Sequence, residues 1–212
     1  MNYVDVEQRS EGWLAERLGS VGASEVFDAC AKQKNGKYYQ KREDLLYKKL
    51  VERLGIQNKS YVSKEMQHGI DNEDSARTAY EFVCNVSVKE VGLFRHNRIA
   101  NTHASPDGVV DKSNIGIEIK APSSVTHLKT LMSGEVSEQY IYQMNWQMAC
   151  AGYDAVDFVS YDPRFTPKAQ IFIKRFERDN ALIAEIENEL EIFMADLDKL
   201  QSEFNKRYAE AA

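Results

Sequence analysis

The chain has 212 residues, 43% of them hydrophobic and 28% charged, with a formal net charge of −6 at pH 7, which is typical of one globular domain over residues 1–212. No apolar run reaches transmembrane length and no signal peptide opens the chain, so we expect a cytoplasmic protein without a membrane partner. Cys30, Cys84 and Cys150 are odd in number and far apart, which argues against a disulfide framework, a structural zinc site and an iron–sulfur cluster.

The charge is unevenly distributed along the chain. Seven acidic residues and no Lys or Arg lie between Asp179 and Asp198, so the remaining residues carry a net charge of +1. Conversely, the eleven residues 32–42 contain five cationic side chains, two tyrosines and no acid. The cationic residues are Lys32, Lys34, Lys37, Lys41 and Arg42. Such a segment could contact the phosphates of a DNA backbone. Alternatively, it is an ordinary solvent-exposed face of the protein.

The N-terminal pattern predicts two short helices. Ser10 can cap a helix from Glu11 to Leu18 that ends at Gly19, and a second helix opens near Ser24. Arg17 and Ser24 can then converge on one spot, where a guanidinium, a hydroxyl and free backbone N–H groups would bind phosphate. The alternative is a plain serine cap and a surface arginine.

Two longer helices follow. The first runs from about Gln40 to Leu54 with an apolar face, and the second from Ser63 to about Cys84. The apolar face comprises Leu45, Leu46, Tyr47, Leu50 and Leu54. On the second helix Glu73 and Arg77 stand four residues apart, a spacing that by itself indicates only a helix-face salt bridge.

The most informative stretch is SPDGVVDKSNIGIEIK, Ser105 to Lys120, within a region predicted as strands from Val86 to Ile119. Pro106–Asp107–Gly108 predicts a tight turn from which Asp107 projects. The following strand alternates, so Glu118 and Lys120 share one face. Two charges on one face of a short β-branched strand are costly unless they meet a partner or a metal.

Asp107 and Glu118 would offer hard oxygens suited to Mg²⁺, with Lys120 beside its waters. A metal held in this way lowers the pKa of a bound water and neutralises charge on a phosphodiester during hydrolysis. The stretch therefore predicts a magnesium-dependent nuclease. The competing interpretation is a simple turn followed by a solvated edge strand, and the spacing alone does not decide between them.

The C-terminal third predicts a helix from about Ser137 to Ala151, two half-buried strands (AVDFVSYD and AQIFIKRFE), and a long helix from about Asp179 to Tyr208 whose acidic face points away from DNA. No repeat or linker divides the chain. Helices before, between and after the strands predict an α/β fold with one mixed central β-sheet flanked by helices.

Five blocks distributed over nearly the whole chain resemble the phage lambda exonuclease family of viral recombination (alkaline) exonucleases, within the PD-(D/E)xK nucleases. They are EGWLAERLGSVGASEV, HGIDNEDSARTAYEF, the core ASPDGVV and IEIKAP, YIYQMNWQMA, and VSYDPRF. The resemblance implies a restriction-endonuclease-like core. It also implies 5′-to-3′ exonuclease activity on double-stranded DNA with release of 5′-mononucleotides.

The resemblance implies specific residue roles. Asp107, Glu118 and the carbonyl of Ile119 would bind Mg²⁺, or Mn²⁺ as a substitute, with Glu73 as an additional or water-mediated ligand. Lys120 and Gln143 would position the attacking water. The terminal 5′-phosphate would be held by Arg17, Ser24 and Ser105. Met66 lies where the family carries an apolar wedge at the duplex end, and Lys32, Lys34 and Lys37 are candidate DNA contacts.

The resemblance further implies a ring-shaped homotrimer that works with a single-strand annealing protein. Two rival hypotheses remain open. A structure-specific or restriction-type endonuclease of the same fold would cut closed circular DNA. A non-catalytic DNA-end binder would have no need to keep Asp107, Glu118 and Lys120 on one face.

Overall fold

A computed structural model of the chain describes residues 2–56 and 63–208. The helices are α1 Glu11–Arg17, a 3₁₀ turn Ala23–Glu25, α2 Val26–Cys30, α3 Gln40–Arg53, α4 Lys64–Cys84, α5 Ser124–Ser133, α6 Glu138–Ala151 and α7 Asn180–Tyr208. The strands are β1 Asn2–Val4, β2 Val21–Gly22, β3 Val88–Lys89, β4 Leu93–Arg95, β5 Thr102–Ala104, β6 Gly108–Val110, β7 Ile115–Lys120, β8 Ala155–Tyr161 and β9 Ile171–Glu177.

These strands form two mixed sheets flanked by helices, where the sequence predicted one. The first has the order β1-β4-β5-β2 and the second β3-β6-β7-β8-β9. The chain changes sheet between β5 and β6, at residues 105–107, where the sequence predicted a strand end and a tight turn. Proline has no N–H to donate to a ladder, which suits such a break. The α/β class is confirmed, but the prediction of a single sheet is wrong.

The hairpin turn also lies elsewhere than predicted. Gly108 pairs with Ile117 in the antiparallel β6–β7 ladder, so the turn falls at residues 111–114, where Lys112 has φ +58°. Residues 105–107 are instead the junction between the two sheets, and Gly108 is the first residue of β6. The register still brings Asp107 beside the end of β7, since its N–H donates to the carbonyl of Ile117 at 3.2 Å.

Most predicted helices are confirmed, with ends within one or two residues. Ser10 and Ser63 accept hydrogen bonds from the first turns of α1 and α4, and Gly152 ends α6 with φ +73°. Helix α5 was not predicted. Its one buried residue is His127, so it lacks the buried apolar stripe by which sequence patterns reveal helices.

Strand β8 is the centre of the second sheet. It pairs parallel with β7 and antiparallel with β9, and all seven of its residues are buried. It was predicted to be half-buried, but α4, α5 and α6 all contact it. Among residues 2–56 and 63–208, no helix combines the length and apolar character required to span a bilayer.

Candidate active site

A cavity of about 780 Å³ lies at the junction of the two sheets. Its wall combines α1, the 3₁₀ turn, the start of α4, the end of β7 and one face of α6. Most of the predicted site residues line it: Arg17, Ser24, Met66, Glu73, Ser105, Asp107, Glu118, Ile119, Lys120 and Gln143. Residues that are distant in sequence are thus brought to one place.

Asp107 is held by the end of β7. Its Oδ2 accepts the N–H of Ile119 at 2.6 Å. Burial raises the pKa of Asp107 well above its ordinary value, and the nearby charge of Glu118 raises it further. Two carboxylates that repel each other in a buried setting form a site that a cation would stabilise.

Glu118 is 1% exposed, yet its carboxylate is well satisfied. Its Oε1 accepts from Gln143 Nε2 at 2.7 Å, its Oε2 accepts from Gln147 Nε2, and the Lys120 ammonium pairs with Oε1. A carboxylate has about four acceptor positions, so three donors leave room for a further contact. The two glutamines, one turn apart on α6, fix the orientation of Glu118.

Lys120 lies between the carboxylates and an aromatic ring. Its Nζ is 5.0 Å from the ring centroid of Tyr140, in cation–π geometry. Burial by itself lowers the pKa of Lys120, but the charges of Glu118 and Asp107 more than offset this and raise the pKa above its ordinary value. In this structure Lys120 is therefore an ammonium that donates hydrogen bonds.

The donor set fits a hard divalent cation. Asp107 and Glu118 supply carboxylate oxygens and Ile119 lines the same wall, a combination that suits Mg²⁺, which keeps several waters. Over residues 2–56 and 63–208 no three His, Cys, Asp or Glu side chains form a metal-ligand cluster, and the role of Glu73 as an additional or water-mediated ligand stays a prediction. Glu73 lines the same cavity and is ion-paired with Arg9 and, at 3.3 Å, with Arg77.

Two of the three predicted phosphate ligands, Arg17 and Ser105, contact Trp13, and the third, Ser24, lines the same cavity. The Arg17 guanidinium lies 3.9 Å from the Trp13 ring centroid, and Trp13 Nε1 donates to Ser105 Oγ at 2.9 Å. Ser24 is exposed in the 3₁₀ turn. The Ser105 hydroxyl donates to the carbonyl of Gly92 at 2.9 Å, so it must rotate before it can donate to a phosphate.

Of the four predicted DNA-binding residues, only Met66 lines the cavity. Met66, 60% exposed, lines the cavity near the start of α4. Lys32, Lys34 and Lys37 are exposed but do not line it. Lys32 pairs with Glu189 on α7, so part of the basic segment is neutralised by the acidic helix.

Sequence reasoning missed three residues of the site: Trp13, Gln147 and Arg164. Gln147 follows Gln143 by four residues, so the helical repeat already placed it on the same face. The DPR sequence at 162–164 stands out in a block of the resemblance, but nothing in its local pattern shows that Arg164 reaches the cavity. Trp13 lies within the helix predicted from Glu11 to Leu18, and no motif in that segment marks it as a binding residue.

Comparison with known proteins gives consistent matches. Residues 12–154 match the model of the YqaJ-like viral recombinase domain. The structure resembles an alkaline exonuclease, LHK-Exo, from Laribacter hongkongensis, at 39% sequence identity over 96% of this chain and 100% of that chain, with a TM-score of 0.87. A structure of LHK-Exo in complex with dAMP matches at 41% identity, with the same coverage and TM-score.

A phage related exonuclease from Haemophilus somnus 129PT is 18% identical over 87% of this chain and 96% of that chain, with a TM-score of 0.69, which shows the fold alone. No curated protein sequence matches the chain. The resemblance to the lambda exonuclease family is confirmed by the family model and by LHK-Exo.

Proposed function

Since the chain belongs to the family of YqaJ-like viral recombinases, the lambda exonuclease family, we propose that it is a magnesium-dependent 5′-to-3′ exonuclease of linear double-stranded DNA. A nuclease role in recombination follows from the family and from the alkaline exonuclease LHK-Exo. The observation that carries the finer proposal is the single cavity that contains both the Asp107–Glu118–Lys120 group and the Arg17–Ser24 pair. An enzyme that starts at a phosphorylated end needs both groups within reach of one DNA strand.

In this proposal Asp107, Glu118 and the carbonyl of Ile119 would hold Mg²⁺. When bound, the ion supplies stabilisation of the negative charge that builds up on the phosphodiester and lowers the pKa of the attacking water. Gln143 and Gln147 keep Glu118 in place through the hydrogen bonds to its two oxygens. Lys120 donates to the water or to the phosphate oxygens, which suits its position beside Glu118.

The terminal phosphate would be bound by Arg17, Ser24 and Ser105 while the bond one nucleotide further in is cleaved. Water attacks that phosphorus and the 3′-oxygen of the terminal nucleotide leaves, which releases a 5′-mononucleotide. The next nucleotide then carries a new 5′-phosphate. Because each cleavage regenerates the group that the pocket binds, the enzyme can act repeatedly on one strand. The dAMP bound by LHK-Exo belongs to the product class proposed here.

We also propose, on the resemblance alone, a ring-shaped homotrimer that retains the duplex, and an annealing protein that loads on the exposed 3′ strand. A closed ring would retain DNA without strong electrostatic attraction, which suits a chain of net charge −6.

The test is digestion of linear duplex with a 5′-phosphate or a 5′-hydroxyl beside closed circular DNA, with Mg²⁺ or with EDTA. We expect Mg²⁺-dependent release of mononucleotides, fastest from phosphorylated ends, while the circle stays intact. Nicked or linearised circles would favour the endonuclease, and no cleavage of any substrate would favour the end binder. Either result would contradict the proposal.

A further inference from the structure

Arg164 is a cavity residue that the proposed mechanism does not use. The chain leaves β8 at Tyr161, and the next residue, Asp162, is 0% exposed. Its carboxylate accepts from Arg164 Nε at 2.7 Å, from Nη2 at 2.9 Å and from the backbone N–H of Arg164 at 3.0 Å. The Arg164 side chain is nevertheless 55% exposed and lines the cavity.

The loop that carries Arg164 is firmly tied down. The N–H of Asp162 donates to the carbonyl of Gln170 at 2.9 Å. The buried ring of His127 forms hydrogen bonds with Ser160 Oγ and with the carbonyl of Ala169, each at 2.8 Å. A guanidinium on such a loop loses little conformational entropy when it binds a ligand.

The strand register sets Arg164 beside the proposed reaction centre. Lys120 pairs with Ser160 in the parallel β7–β8 ladder, so the chain after each strand emerges at the same sheet edge. Residues 121–123 and Arg164 line one part of the cavity wall there. Arg17 and Ser24 line the wall from α1 and the 3₁₀ turn, which belong to a different part of the chain.

The pair with Asp162 leaves part of the guanidinium available. Burial alone raises the pKa of Asp162, but the hydrogen bonds from Arg164 and Ser124 lower it to about 2, so the carboxylate is ionised at neutral pH. It orients the Nε–Nη2 edge, and no hydrogen bond among the described residues involves Nη1. A guanidinium offers five donors in a fixed fork and suits phosphate oxygens.

We propose that Arg164 binds a backbone phosphate of the DNA other than the terminal 5′-phosphate. This inference rests on the proposed function, since it requires that duplex ends enter the cavity. Arg164 then positions the strand at the sheet edge where β7 and β8 end, in addition to the contact that Arg17 makes from α1. A residue that served only to lock the loop would contribute to stability but not to DNA affinity.

The test measures binding of hairpin duplexes with one open end, carrying a 5′-phosphate or a 5′-hydroxyl, in EDTA so that cleavage cannot occur. We expect Arg164→Gln to weaken binding of both ends about tenfold, and to reduce the slope of log K against log salt by about one. Arg17→Gln should weaken mainly the phosphorylated end. Arg98→Gln is the matched control, because Arg98 is 60% exposed and paired with Glu187 but does not line the cavity.

Arg164→Gln leaves the buried Asp162 carboxylate without its partner and could misfold. Two further variants therefore distinguish the loss of a DNA contact from the loss of structure. Arg164→Lys keeps a charge and should bind better than Arg164→Gln, and the double variant Asp162→Asn, Arg164→Gln removes both charges and should bind as weakly as the single one. A folded Arg164→Gln or double variant that binds both ends like the wild type would overturn the proposal. Wild-type protein that degrades no duplex would instead refute the proposed function itself.

Discussion

Lys49 is the centre of a buried ionic cluster that holds the backbone of the predicted phosphate site. This residue of α3 is 3% exposed, and its ammonium lies 2.9 Å from Glu25 Oε2 and 3.0 Å from Glu52 Oε2. A buried cation between two carboxylates is satisfied only while both are in place. The three side chains therefore act as one ionic unit, and we predict the effect of removing its centre through Lys49→Met.

The unit holds the segment that joins the two predicted phosphate ligands. Glu52 also accepts the N–H of Gly19 at 3.0 Å, and Glu25 accepts the N–H of Gly22 at 3.1 Å. Gly19 and Gly22 lie between Arg17 and Ser24, so the backbone of this segment is tied to α3. Loss of Lys49 should thus loosen the phosphate site as well as destabilise the protein.

The magnitude follows from the carboxyl of Glu25, whose side chain is 19% exposed. Burial alone raises its pKa, but Lys49, and after it Lys48, bring the pKa down to about 2 from the ordinary 4.5. At about 1.4 kcal/mol per pH unit, this difference corresponds to about 3 kcal/mol at neutral pH for all partners of Glu25 together, of which the charge of Lys49 supplies the largest single part, ahead of the charge of Lys48 and the N–H of Gly22. Lys49→Met also removes the partner of Glu52, and breaking a buried pair by removing one partner costs about 3–5 kcal/mol, so we expect a loss of about 3 kcal/mol.

The assay is urea unfolding of wild type and Lys49→Met between pH 8 and pH 3. Because the folded pKa of Glu25 is depressed, its contribution is complete above about pH 4.5 and is lost as the pH falls toward 2. The difference in free energy of unfolding should be about 3 kcal/mol at pH 7, equal to about 6–12 °C in Tm, and should shrink below pH 4.5. The variant should also lose preference for 5′-phosphorylated ends.

Lys48→Met is the matched control, since Lys48 pairs with the same Glu25 at 2.8 Å but its side chain is 56% exposed. An exposed pair contributes about 1 kcal/mol or less. The reasoning would be refuted if Lys49→Met destabilised no more than Lys48→Met. A stability difference that stayed constant down to pH 3 would also refute it.

Four further predictions concern the cavity. Glu118→Gln should lower cleavage by at least about 10²-fold while end binding in EDTA persists, as measured by digestion and by gel shift. Lys120→Ala should likewise abolish cutting but spare end binding, and full activity in this variant would contradict the mechanism. Gln147→Leu should raise the Mg²⁺ concentration for half-maximal digestion about 10- to 100-fold, because outer partners orient a metal ligand. Arg17→Gln should reduce the preference for 5′-phosphate over 5′-hydroxyl ends about tenfold, seen as a ratio of kcat/KM values.

Local signals predicted the helices well. A serine that accepts from the first turn, as at Ser10 and Ser63, and a glycine at positive φ, as at Gly152, are determined by neighbouring residues alone. The division into two sheets depends instead on which distant strand each segment meets. Residues 102–104 and 108–110 are separated by only three residues, but they belong to different sheets, since the first segment pairs with β4 and the second with β7.

The same distinction applies to the site. The spacing of Asp107, Glu118 and Lys120 identified them in one stretch, because a hairpin brings them together. Gln147 reaches Glu118 only through the packing of α6 on the sheet, and Arg164 reaches the cavity only through the register of β7 with β8. No short-range pattern contains that information.

The placement of charge explains how a chain of net charge −6 can suit DNA ends. Acidic residues of α7 pair with cations outside the cavity wall: Glu187 with Arg98, Glu189 with Lys32, Asp196 with Arg42 and Asp198 with Arg53. The cavity itself is lined by five cationic residues and three acidic ones, before any metal ion is counted. Within the cavity this attraction is short in range, because charges beyond about 8 Å are screened at physiological salt. The interior of a duplex, which does not enter the cavity, would be held weakly, whereas an end that enters it would meet every positive group at once. Under the proposed function, selectivity for ends would follow from where the charges lie and not from their sum.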